Sequence, residues 1–185
     1  VKDRIKETAD RYIAGTYLRF PVAMVRGEGA TLWDVAGKCY TDFLAGIAVC
    51  SLGHSHPKVT AAIVEQAGTL LHVSNLFYTE PQAELAQWLV DHSFADRVFF
   101  GNSGAEANEA AIKIARKYFA DRGKTARTKV VAMAQSFHGR TMATLSATGQ
   151  DKIKQGFAPL LEGFDFVPFN DIEALKGAMG EETCA

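Results

Sequence analysis

The chain has 185 residues, of which 48% are hydrophobic and 22% charged, with a formal net charge of -1. That balance excludes intrinsic disorder and gives no electrostatic footprint for nucleic acid or an anionic membrane, so a small-molecule partner is expected. Cys39, Cys50 and Cys184 are odd in number and widely spaced, which argues against a disulfide framework or a structural zinc site and for a reducing cytoplasm. The start, Val1-Lys2-Asp3-Arg4-Ile5-Lys6-Glu7, is charged where a signal peptide needs an apolar core, and no apolar run reaches membrane-spanning length. The first residue is not methionine, so a start inside a longer reading frame or after processing is expected.

In chain order, Ile5, Ala9, Tyr12 and Ile13 give Lys2 to Ala14 a helical spacing that ends at Gly15. Val22 to Arg26, Ala30 to Val35 and Cys39 to Phe43 predict a β-meander, with turns at Gly27-Glu28-Gly29 and Ala36-Gly37-Lys38. Pro57 to Leu71 reads as an amphipathic helix opened by proline, and Pro81 to Ser93 as another with Leu85, Leu89 and Val90 on its inner face. Thereafter strand and helix alternate: strand Arg97 to Phe100, helix Ser103 to Asp121, strand Lys129 to Ala134, helix within Thr141 to Thr148, strand Phe164 to Phe169. The crossovers favour a mainly parallel α/β sheet flanked by helices, whose ligands sit beyond the carboxyl ends of the strands.

Two loops fall at such ends. In Gly101-Asn102-Ser103-Gly104-Ala105-Glu106, Ser103 and Glu106 match a capping box, in which a hydroxyl and a carboxylate satisfy orphan amides at a helix start. Free N–H groups and the macrodipole there attract phosphate, and Gly104 has no Cβ to hold an oxyanion away. An ordinary capped helix after a strand is the plainer alternative. Ser136-Phe137-His138-Gly139-Arg140-Thr141 faces the same crevice, and offers an aromatic ring to stack on a planar ligand and a guanidinium to grip a carboxylate. Taken separately, Phe137 suits a core position and Arg140 a solvated strand end; the coincidence of the two loops carries the reading.

Together, Asn102-Ser103-Gly104-Ala105-Glu106-Ala107-Asn108-Glu109 and Ser136 to Thr141 resemble the class III, pyridoxal-phosphate-dependent aminotransferases. Leu32-Trp33-Asp34, Gly37-Lys38, Asp42-Phe43, Gly53-His54-Ser55-His56-Pro57 and Phe169-Asn170-Asp171 extend the resemblance over nearly the whole chain. It implies fold type I, with residues 1–50 contributing to a smaller domain and residues 51–185 forming the first part of the large cofactor-binding domain. Ser74 to Pro81 and the pairing of Ala105 with Phe137 lean toward the acetylornithine subgroup, while ornithine, succinylornithine and 4-aminobutyrate types share much of the pattern. The implied activity moves the terminal amino group of N-acetylornithine to 2-oxoglutarate in arginine biosynthesis, in a cytoplasmic homodimer.

The resemblance implies that Ser103, Gly104 and Ala105 hold the phosphate of pyridoxal 5'-phosphate and that Phe137 stacks on its ring. It assigns Arg140 to the substrate α-carboxylate and Tyr17, in the loop before Pro21, to a position near that carboxylate. Asn75 to Thr79 resemble a loop near the dimer interface. His138 is left outside the catalytic set, as a strand-end histidine bonded to backbone. A metal at His54 and His56 is not expected, since no cysteine or carboxylate cluster surrounds them. There is no nucleophile elbow and no full dinucleotide fingerprint.

No residue matches the family's Schiff-base lysine or the aspartate that partners the pyridinium nitrogen. Lys113, Lys117 and Lys129 lie in segments unlike the lysine loop. Glu181 to Ala185 reads as the approach to another buried strand, so the chain is expected to be an N-terminal portion, inactive by itself. The rival expectation is a noncatalytic phosphate-binding or dimerising module.

Overall fold

The computed structural model describes residues 2–185, so Val1 of the charged start lies outside it. Two compact units divide the chain, Val1–Tyr78 and Thr79–Ala185. The domain boundary expected between residues 50 and 51 lies inside the first unit.

In the first unit, helix α1 (Lys2–Tyr12) ends two residues before the expected Ala14, although the Ile13 N–H still donates to the Ala9 carbonyl at 2.8 Å. The meander forms as an antiparallel sheet of β1 (Met24–Glu28), β2 (Thr31–Asp34) and β3 (Cys39–Thr41), in that order. The first turn is tighter than expected: β1 runs through Gly27 and Glu28, Glu28 pairs with Thr31, and Gly29 takes the positive φ of 56° that a two-residue hairpin needs. Asp34, 5% exposed, builds the second turn, with Oδ1 accepting the Ala36 and Lys38 N–H groups at 2.9 Å and Oδ2 accepting the Tyr40 hydroxyl at 2.9 Å.

Beyond β3, α2 (Ala45–Ala48) is a single left-handed turn with φ of 47°, 63°, 59° and 65° at Ala45, Gly46, Ile47 and Ala48. No sequence signal predicts it, because L side chains, β-branched Ile47 above all, disfavour that region. Asp42 holds its entrance, accepting the Leu44 N–H at 2.8 Å and the Ala45 N–H at 3.1 Å. The other Asp42 oxygen lies 2.6 Å from His54 Nε2. Residue His54 is itself bridged to Gly29 through reciprocal backbone bonds of 2.9 and 2.8 Å. Helix α3 (Pro57–Thr69) opens on proline as expected and stops where Leu70 turns extended.

In the second unit, α4 (Glu80–Asp91) keeps Leu89 and Val90 half-buried, but Leu85, expected beside them, is exposed. Periodicity reports which side chains need cover, not whether cover is present. Arg97 to Phe100, expected as a strand, joins no ladder among the described residues, and Phe99 is exposed. An apolar β-pattern marks burial, while a strand also needs a neighbour to bond.

The parallel sheet forms between β4 (Val130–Met133) and β5 (Phe164–Val167), with Val130 opposite Phe164 and Met133 opposite Val167. On the other side of β4 the expected approach to a further strand is present. Lys129 bridges Thr183 in parallel, and the Val131 N–H donates to the Ala185 carbonyl at 2.9 Å. Helices α5 (Gly104–Ala120), α6 (Met142–Ala147), α7 (Asp151–Lys154) and α8 (Ile172–Ala178) complete the unit. Its buried core is Ala110 and Ile112 of α5, Ala132 of β4, Leu145 and Ala147 of α6 and Val167 of β5. The core therefore joins α5, α6 and the sheet, the three elements that carry the two candidate loops.

Candidate cofactor site

The helix start at α5 is capped as its sequence requires, with one change of partner. Ser103, extended at φ -152° and ψ 162°, accepts the Glu106 N–H on its Oγ at 3.2 Å. The Glu106 carboxylate reaches one residue further back than the usual capping box, taking the Asn102 N–H at 2.5 Å instead of that of Ser103. The Ala107 N–H closes on the Ser103 carbonyl at 3.0 Å. Geometry leaves the Gly104 and Ala105 N–H groups without intrahelical partners. They stand beside the Ser103 hydroxyl, and the space where a Gly104 Cβ would point is open, with nothing within 4 Å. Two free amides, a hydroxyl and the positive end of a 17-residue helix suit a dianionic phosphate.

The second loop leaves β4 through a sharp turn at Gln135, whose φ is 62°. Gly149 makes that turn possible. Its carbonyl accepts the Gln135 N–H at 2.8 Å, and a side chain there would collide with the Met133 carbonyl. Gly139, buried with φ 136°, then brings this loop onto the helix start: a methyl group on it would lie 2.7 Å from Ala105 Cβ and 2.6 Å from Thr144 Oγ1. The two loops expected to share a crevice are thus in direct backbone contact.

Side chains from two helices fix the loop between these glycines. Asn108 Nδ2 of α5 donates to the His138 carbonyl at 2.8 Å, and the His138 N–H donates to Thr148 Oγ1 at 2.9 Å. Thr141 Oγ1 donates to Glu109 Oε1 at 2.5 Å and lies 2.8 Å from Thr144 Oγ1. Thr144 and Thr148 are fully buried. Sequence reading gave Asn108 and Glu109 no role beyond their place in the motif and passed over Thr144 and Thr148, since the Asn108 and Glu109 bonds span 30 and 32 residues and leave no local pattern. His138 departs from the expected histidine bonded to backbone: its peptide groups are held by side chains, and its ring Nδ1 lies 3.4 Å from the Ser136 side-chain Oγ.

The same loop presents Phe137 with 58% of its surface exposed. Arg140 Cζ lies 5.8 Å from the Phe137 ring centroid, and among the described residues the guanidinium has no hydrogen bond or ion pair. Ser103, Gly104 and Ala105 therefore lie on one of two adjoining loops of the second unit, and Phe137 and Arg140 lie on the other. Tyr17 lies in the first unit and is 63% exposed. Of the lysines considered, Lys117 pairs with Asp121 and Lys129 with Glu182, each at 2.9 Å. One carboxylate adjoins the histidine pair, Asp42 Oδ2 at 2.6 Å from His54 Nε2. Among the described residues no three metal-ligating side chains converge, and no helix is long and apolar enough to cross a membrane.

Residues 12–185 match the family described as Aminotransferase class-III. The chain is 56% identical over 173 residues to acetylornithine aminotransferase of Synechocystis sp., covering 93% of this chain and 40% of that protein. Among solved structures it resembles the ornithine aminotransferase of Toxoplasma gondii, described with partial occupancy of PLP at its active site. The TM-score is 0.91 at 32% identity, covering 96% of this chain and 42% of that one. It also resembles acetylornithine aminotransferase of Elizabethkingia anophelis, with a TM-score of 0.80 at 31% identity, covering 100% and 43%. The chain spans less than half the length of the curated relatives it matches.

Proposed function

Since the chain belongs to the class III aminotransferases, a pyridoxal-phosphate-dependent family of fold type I, we propose that the whole protein transfers the terminal amino group of N-acetylornithine to 2-oxoglutarate. The observation that carries this reading is the contact of Gly139 with Ala105, which puts an anion-binding helix start and an exposed aromatic with an unpaired arginine on adjoining loops. The subgroup is supported by identities of 54 to 56% to acetylornithine aminotransferases.

The Gly104 and Ala105 amides and the Ser103 hydroxyl hold the cofactor phosphate, and the helix dipole adds to its binding. Phe137 covers one face of the cofactor ring. Arg140 pairs with the α-carboxylate of the amino donor through a bidentate fork, which aims the distal amine at the reacting carbon. Tyr17 is assigned to the same carboxylate by the family resemblance alone. Bound pyridoxal phosphate supplies the electron-withdrawing ring that stabilises negative charge as the donor loses its proton. Proton transfer is assigned to no lysine among these 185 residues. In the full enzyme, residues 1–50 contribute to the smaller domain and residues 51–185 begin the large one; the enzyme is a cytoplasmic homodimer.

Donor profiling of the full-length protein tests this. N-acetylornithine is expected to give the highest kcat/KM with 2-oxoglutarate. A higher value for ornithine, succinylornithine or 4-aminobutyrate replaces the proposed donor, and no transfer from any of them rejects the activity.

A further inference from the structure

Residue His138 sits between the exposed ring of Phe137 and the buried Gly139, and both of its peptide groups are bonded to side chains, one from α5 and one from Thr148, which caps the end of α6. Its carbonyl accepts from Asn108 Nδ2 at 2.8 Å, and its N–H donates to Thr148 Oγ1 at 2.9 Å. Loop backbone commonly satisfies such groups with water, which leaves the loop free to move.

Both clamping side chains are anchored in turn. Thr148 is fully buried and passes its own proton to the Thr144 carbonyl at 2.8 Å, so its lone pair faces the His138 amide. Asn108 lies one helical turn beyond Ala105 on α5, the helix whose first amides form the anion cradle. A displacement of α5 would therefore shift the His138 peptide with it. Gln150 Nε2 adds bonds of 3.3 and 3.2 Å to the Gln135 and Ser136 carbonyls, which holds the preceding part of the loop.

We propose that Asn108 and Thr148 are positioning residues that hold the Phe137 ring at a fixed height and tilt relative to the phosphate cradle. The inference rests on the proposed cofactor site and deepens it. Among the described residues the Phe137 ring has no cation or ring contact beyond the Arg140 guanidinium, so its placement follows from the peptide that succeeds it. Stacking on a planar ring depends on offset and tilt, and these are the quantities a loosened backbone loses first. Fixing the ring before the ligand arrives removes an ordering cost from binding.

The test uses the full-length enzyme stripped of pyridoxal phosphate and titrated with it, following the absorbance of the bound cofactor. Asn108→Ala, Asn108→Asp and Thr148→Val are each expected to raise the cofactor dissociation constant by about three- to tenfold, the worth of one hydrogen bond. Thr148→Ser, which keeps the hydroxyl, is expected to stay within about twofold of the parent. In a Phe137→Ala background the increment from Asn108→Ala is expected to fall to within about twofold, because the clamp acts through the ring. Unchanged binding by Asn108→Ala and Asn108→Asp while Phe137→Ala weakens binding would overturn the clamp and leave the cofactor site standing. A full multiplicative effect of Asn108→Ala without Phe137 would also overturn it. If Phe137→Ala itself left binding unchanged, the stacking assignment would fall and the clamp with it.

Discussion

Gly139 lies against Ala105 so closely that a methyl group on the glycine would be 2.7 Å from the alanine Cβ, and this contact is what makes one site of two loops 34 residues apart in sequence. Gly139 also has a φ of 136°, which an L side chain rarely adopts. Gly139→Ala combines strain with overlap and is expected to cost about 2 to 4 kcal/mol of stability. Chemical unfolding of the full-length enzyme would measure the cost, and cofactor titration of the folded fraction would show weaker binding. Parent-like stability and binding would mean that the loops are not packed as described.

The exposed Phe137 ring is assigned to the cofactor. Phe137→Ala is expected to raise the cofactor dissociation constant roughly tenfold, near the upper end of what a stacked aromatic contributes, while Phe137→Tyr keeps most of the affinity. Equilibrium dialysis of the cofactor would separate the two variants.

Arg140 has its guanidinium free for a ligand. Arg140→Ala is expected to raise the apparent KM for the amino donor by about 30- to 160-fold, from about 2 to 3 kcal/mol of lost charge-assisted bonding, with cofactor still bound. Arg140→Lys restores part of this, because an ammonium supplies charge without the planar fork. Steady-state kinetics with the donor varied would decide the matter, and an unaltered KM would remove Arg140 from the substrate site.

The Asp42 carboxylate is held below the ordinary aspartate value of 3.8, first by the hydrogen bond to His54 and then by the Leu44 amide. A depressed folded pKa stabilises the fold above the ordinary value, and that stabilisation is lost as pH falls through the depressed one. Asp42→Asn keeps an acceptor for the Leu44 and Ala45 amides and loses the charge facing His54. The stability difference between parent and Asp42→Asn is expected to be full at neutral pH and to shrink on acidification below about pH 4. Urea unfolding at a series of pH values would show it, and a difference independent of pH would assign the His54 contact no electrostatic role.

Much of this site was legible because its chemistry is local. Ser103 and Glu106 announce a capped helix by spacing alone, and the apolar runs at residues 130–133 and 164–167 announce buried strands. The failures are nonlocal. Arg97 to Phe100 has the composition of a strand, but pairing depends on a neighbour that sequence pattern does not report. The left-handed turn at Ala45–Ala48 contradicts the preferences of its own residues and is held from outside by Asp42. Asn108 and Glu109 look like polar residues of a solvated helix face, and only the fold brings them to His138 and Thr141. Glu106 misled in a smaller way, since a capping carboxylate can choose either of two adjacent amides.

The most direct measurement is a crystal structure of the full-length enzyme with pyridoxal phosphate bound. The account predicts phosphate oxygens at about 2.7 to 3.2 Å from the Gly104 and Ala105 nitrogens and the Ser103 hydroxyl, with the cofactor ring lying on Phe137. A phosphate seated away from the α5 start, or a ring that does not meet Phe137, would contradict it.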